Sequence, residues 1–148
     1  MNANPSQTAE PDTGAKPRRR VLPTIVRILM GVGFTIFGLN GFLNFMPPPK
    51  TPMLEGAAEF AGSLAKTGYM MPLVMGTQLL VGILLLTNRF VPLALVLIAP
   101  ILVGIVTFHI FLAPSTIAPG LILLVLELYL AWVYRDSFRP MLRAKPPI

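Results

Sequence analysis

The 148-residue chain contains no cysteine, which excludes disulfides, thiol redox chemistry, Cys-ligated metals and iron–sulfur clusters within it. It has a single histidine, His109, too few for a bis-His haem inside one chain or for a metal site, which needs several protein ligands. Gly-rich phosphate loops, nucleophile elbows and paired catalytic carboxylates are also absent. Glu55 and Glu59 lie one helical turn apart and read as a solvated face. No metal and no intrinsic cofactor are therefore expected. Charge is scarce as well, with 12% charged residues and six Asp plus Glu, far from the composition of an ordinary soluble domain.

Apolar residues fill that space, at 54% of the chain. Four long runs, Val21–Phe45, Met70–Leu86, Pro92–Phe111 and Ala118–Tyr134, take up most of the sequence. A helix needs about 20 mainly apolar residues to cross the hydrocarbon core of a bilayer. Lipid offers no partner for an unpaired backbone N–H, and the runs lack the alternation of barrel strands, so each reads as a transmembrane helix. The expected fold is an all-α integral membrane protein: an antiparallel bundle of four transmembrane helices over residues 21–143. Residues 1–20 form a polar, disordered cytoplasmic tail and residues 144–148 a second tail. Arg18–Arg20 before an apolar run imitate a secretory signal. The run is too long and lacks a clean cleavage site, so it reads as an uncleaved anchor.

The net charge of +6 would point to nucleic acid in a soluble protein. Beside membrane spans it reads as a topology signal and as contact with anionic lipid, with no nucleic acid involved. Ten of the twelve basic residues flank the start of the first run, the end of the fourth or the turn between the second and third: Lys16, Arg18, Arg19, Arg20, Arg27, Arg89, Arg135, Arg139, Arg143 and Lys145. Only Lys50 and Lys66 lie in the opposite loop. This bias puts both termini in the cytoplasm of a multi-pass protein of the bacterial inner membrane.

Met46-Pro47-Pro48-Pro49 stops the first helix. Thr51–Thr67 then repeats Leu54, Ala57, Ala58, Ala61, Leu64 and Ala65 at helical spacing, with Phe60 near the same face. The segment is too short and polar to span, so it predicts a short amphipathic helix on the outer surface, placed as a lid over the bundle. Gly68 ends it. Thr87–Phe90 is tight enough to force an antiparallel pair, and Pro100 lies inside the third run, where a kink is expected. In the first run Gly31, Gly38 and Gly41 form a small-residue face, suited either to packing within the bundle or to a homo-oligomer.

Five polar side chains fall inside the runs: Asn40, Asn44, Gln78, His109 and Glu127. At ~1.5 Å per residue, all five lie between the outer surface and the midplane, Glu127 deepest at about 14 Å. The spacing predicts one polar cluster in the outer half of the bundle. A carboxylate at that depth costs several kcal/mol unless paired, so Glu127 faces inward, protonated or beside a cation. No Lys or Arg is expected to reach it, which leaves His109 as its partner, directly or through water. Glu127 and His109 are the proton-handling candidates; Asn40, Asn44 and Gln78 serve as substrate-binding groups or as interhelical hydrogen bonds.

Several segments resemble the DoxX-like family of small four-helix bacterial membrane proteins. They are Gly38-Leu39-Asn40-Gly41-Phe42, Thr67-Gly68-Tyr69-Met70, Asn88-Arg89-Phe90-Val91-Pro92-Leu93-Ala94, Phe108-His109-Ile110-Phe111-Leu112, Leu126-Glu127-Leu128-Tyr129 and Tyr134-Arg135-Asp136. The resemblance spans about residues 21–143, with Gln78 standing where many relatives would carry Glu. Some members resemble the membrane subunit of a thiosulfate:quinone oxidoreductase, and others are linked to complexes that handle oxidative and thiol stress. The resemblance therefore implies a redox-linked membrane subunit that interacts with quinone, its electron source on a soluble or membrane partner. Two other readings fit the residues: a non-catalytic membrane anchor that recruits soluble enzymes through its basic termini, and a small transporter or lipid-handling protein.

Overall fold

The computed structural model describes residues 21–47 and 53–142, and among them the chain is helical with no strand. The cluster Arg18–Arg20, Pro48–Pro49, Lys50 and the two terminal tails lie outside the described residues. Helix α1 runs over Val21–Leu43. Its end is set by Asn44, at φ +48°, a left-handed conformation that Asn tolerates better than most residues. The Asn44 N–H donates to the Asn40 carbonyl at 2.8 Å.

The predicted surface helix is present as α2, Glu55–Lys66, shorter than the sequence pattern at both ends. Glu55 in its first turn and Lys66 in its last complement the helix dipole. Thr67 caps the next helix: its hydroxyl accepts from the Met70 N–H at 3.1 Å and donates to the Leu64 carbonyl at 2.6 Å. Gly68, at φ +77°, permits the turn that sets α2 at 90° to α3, Met70–Leu86.

At the other end of α3 the chain reverses through Asn88, at φ +55°. Asn88 N–H donates to the Leu85 carbonyl at 3.2 Å and Arg89 N–H to the Leu84 carbonyl at 3.1 Å, the paired bonds of a Schellman turn. Helix α4 follows over Val91–Phe111, with Pro92 in its first turn, and it continues through Pro100. A single 3₁₀ turn, Pro114–Thr116, leads into α5, Ile117–Val133, and a short α6, Arg135–Phe138, closes the described chain.

Val21–Leu43, Val91–Phe111 and Pro114–Val133 are each long and apolar enough to cross a membrane. Helix α3 alone has 17 residues, about 25 Å at 1.5 Å per residue, and passes that test only together with the sharply bent α2. The described residues thus contain three to four candidate spans.

Helix α3 packs against α1 and α4, α5 against α4 and α1. The α1–α3 pair is antiparallel: Gly31 lies beside Leu85 and Leu86, Gly38 beside Met75 and Leu79, and Gly41 beside Met75. The glycine face of α1 is therefore covered by α3 of the same chain. A Cβ on Gly82 of α3 would lie 2.4 Å from the Thr35 hydroxyl and 2.6 Å from the Thr35 backbone nitrogen, so both helices need small residues where they cross. Met30, Phe34, Val81, Leu85, Ile98, Leu102 and Leu130 form the centre of the core. Large apolar side chains such as Leu29, Val32, Val103, Val125 and Leu128 point outward.

Candidate functional site

The buried residues of α5 are Gly120, Glu127 and Leu130. Spacings of seven and three residues place them on one helical face, and this face meets α4 and α1. Glu127 is only 5% exposed, so the inward placement expected from its cost in lipid is observed. It lies ten residues, about 15 Å, from the start of α5 and six residues, about 9 Å, from its end. That is just past the middle of the helix, on the side of Arg135. Its carboxyl group makes no hydrogen bond or ion pair among the described residues.

His109 lies near the opposite end of the α4–α5 seam. Its Nδ1 is 2.7 Å from the Ile105 carbonyl. A carbonyl only accepts, so Nδ1 carries a proton and donates, which leaves Nε2 as the free ring nitrogen. A Cβ on Gly120 would lie 3.8 Å from Nδ1, which puts His109 level with Gly120. Glu127 is two turns further along the same α5 face, an axial offset of about 10 Å. No direct His109–Glu127 contact is made; the one ion pair among the described residues joins Arg139 to Asp136 at 3.2 Å on the surface.

Gln78 is 6% exposed and shares the buried face of α3 with Val81, Gly82 and Leu85. Asn40 and Asn44 are occupied elsewhere. The Asn40 side-chain oxygen accepts from the Met46 N–H at 2.7 Å, and Asn44 is exposed in the left-handed turn that ends α1. The Asn40 side chain and the Asn44 backbone shape the exit from α1. The five polar residues thus separate into two at the exit from α1, two buried groups on α3 and α5, and an imidazole at the α4–α5 seam.

Arg27 is not a flanking charge: the structure buries it within α1. It sits in the second turn of α1, 8% exposed, and its Nη1 donates to the Leu85 carbonyl, with a longer contact of 3.5 Å to the Leu86 carbonyl. These are the last carbonyls of α3, the negative end of its dipole, where a cation is favoured. A charge-assisted bond there ties α1 to α3. The signal was available in the sequence, because Arg27 lies inside the Val21–Phe45 run and not before it.

Helix α2 reaches across the His109 end. Phe60 of α2 meets Phe108 of α4 with ring centroids 5.7 Å apart, and Phe108 meets His109 edge-on at 5.2 Å. At the opposite end the Arg135 guanidinium stacks on Trp132, 5.0 Å from the ring, a pairing suited to a membrane–water boundary.

No family model matches the chain, and no solved structure matches it. Over 136 residues it is 29% identical to the uncharacterized protein YwoB of Bacillus subtilis (strain 168), in an alignment covering 88% of both proteins.

Proposed function

We propose that this is a DoxX-like protein of the bacterial inner membrane, a four-helix bundle with both termini cytoplasmic, acting as a quinone-interacting subunit of a redox complex. Helix α3 serves as the fourth span because α1 shelters it along its length, from Gly41 at Met75 to Gly31 at Leu86. The tight α3–α4 turn then brings Arg89 to the same end as Arg27 and Arg135, as the positive-inside rule requires. Because the chain has no cysteine, introduced thiols report topology directly. An impermeant maleimide should label Ser63→Cys in intact cells and Asn88→Cys only after permeabilisation; the reverse pattern would invert the assignment.

The observation that carries the functional reading is the spacing of the two proton-handling groups on one seam. His109 and Glu127 are offset by about 10 Å along α5. A para-quinone spans a similar length, about 5 Å between its oxygens plus two hydrogen bonds of ~2.8 Å. In this pose the Nε2–H of a doubly protonated His109 donates to one quinone oxygen and the Glu127 carboxyl O–H donates to the other. Reduction takes two electrons from a partner polypeptide and two protons, one from the Glu127 carboxyl and one from the Nε2–H of the doubly protonated His109. This leaves a carboxylate and a neutral imidazole, and oxidation of the quinol returns both protons, the then unprotonated Nε2 accepting from a hydroxyl.

A ubiquinone or menaquinone analogue titrated into purified protein tests this. Each of Glu127→Ala and His109→Ala removes one hydrogen bond to the head group, and each should weaken binding about tenfold or more. Unchanged affinity in either variant, with its helical content intact, would remove that residue from the site.

A further inference from the structure

The link between α2 and the rest of the chain is slight. Ala57 is its one buried residue, and Phe60, which makes its aromatic contact with α4, is itself 46% exposed. The joint to α3 is Thr67–Gly68, where Gly68 holds a positive φ and a Cβ on it would meet nothing within 4 Å. A segment with few buried contacts and an open glycine joint belongs to the low-stability end of a structure, where lids are drawn from. What α2 touches is specific: Phe60 lies on Phe108, Phe108 lies edge-on to His109, and Gly56 stands over Leu112, the residue that follows α4.

We infer that α2 is a hinged lid which turns about Thr67–Gly68 and controls access to His109 from the outer end of the α4–α5 seam. When closed, Phe60 pins Phe108 against the imidazole and covers the approach to Nε2. When α2 lifts, Phe108 loses its support and Nε2 becomes reachable. The device concerns access to the ring and holds whatever molecule uses it, so its failure would leave quinone affinity, measured separately, untouched.

The composition makes the test clean, because there are no native thiols and His109 is the single histidine. In Gly56→Cys/Leu112→Cys protein, a short bifunctional methanethiosulfonate fastens α2 to α4 and a reductant releases it. With Nδ1 held by Ile105, diethylpyrocarbonate attacks His109 at Nε2, and the adduct is read by absorbance and intact mass. Modification should be at least tenfold slower in the crosslinked protein than in the same sample after reduction. Phe60→Ala, which removes the contact without any crosslink, should be modified several-fold faster than the parent. Equal rates with the lid fastened and released would overturn the inference. So would two thiols that each accept a monofunctional maleimide but never crosslink, since α2 would then not lie over α4.

Discussion

Gly38→Ala is expected to destabilise the protein by about 2–3 kcal/mol, although alanine is the better helix former. The added Cβ would lie 2.5 Å from the Leu79 backbone nitrogen and 2.8 Å from both the Leu79 Cα and the Met75 carbonyl oxygen. These are backbone atoms and cannot rotate aside, so α1 and α3 must separate along the interface that joins them. Gly33 provides the control: it occupies the same helix, and a Cβ there meets nothing within 4 Å. Gly33→Ala keeps the propensity gain of up to ~1 kcal/mol without the collision. Unfolding in dodecylmaltoside with added SDS, followed by far-UV circular dichroism, measures both. The two substitutions should move the midpoint in opposite directions. A common direction would mean that α1 and α3 do not approach as described.

Arg27→Met carries the second large effect. Methionine keeps an unbranched apolar stem of similar reach and removes the donor, so the test isolates the hydrogen bond from the packing. Leu85 retains the Asn88 N–H, but the end of the α3 dipole loses its compensating charge and α1 loses its polar tie to α3. A loss of about 2 kcal/mol is expected, as for a hydrogen bond to a charged group. Arg27→Lys should recover part of it, since an ammonium reaches as a point charge without the planar fork. In the proposed orientation topology should persist in both variants, because the charge bias in the sequence is still at least nine to two. If Arg27→Met unfolds at the parent midpoint, the guanidinium contributes nothing to holding the helices.

The helical elements were legible from composition and punctuation. Proline in the first turn of α3, α4 and α5 and Gly68 after α2 each mark a boundary by removing or fixing a backbone option, whereas α1 ends at Leu43, ahead of the Met46–Pro49 break, where Asn44 turns left-handed. The inward face of Glu127 was legible too, since a carboxyl group at that depth has nowhere else to go. The grouping of the five polar residues was not. Depth can be counted along a helix, but whether a side chain turns back to its own backbone is decided locally, and Asn40 and His109 both do so. Arg27 was obscured by a counting rule that treats every basic residue near a span as equivalent, whereas a carbonyl 58 residues away distinguishes it from Arg89 or Arg135.

That sequence separation also fixes an order of events. Arg27 is translated and reaches the bilayer before its acceptor on α3 exists. In the proposed orientation its long side chain reaches back to the cytoplasmic headgroups, where snorkelling keeps a guanidinium hydrated. There it counts toward orientation like its neighbours. Once α3 inserts and presents its terminal carbonyls, the same side chain exchanges phosphate and water for Leu85. One arginine thus first directs the nascent chain and then latches the finished helix pair.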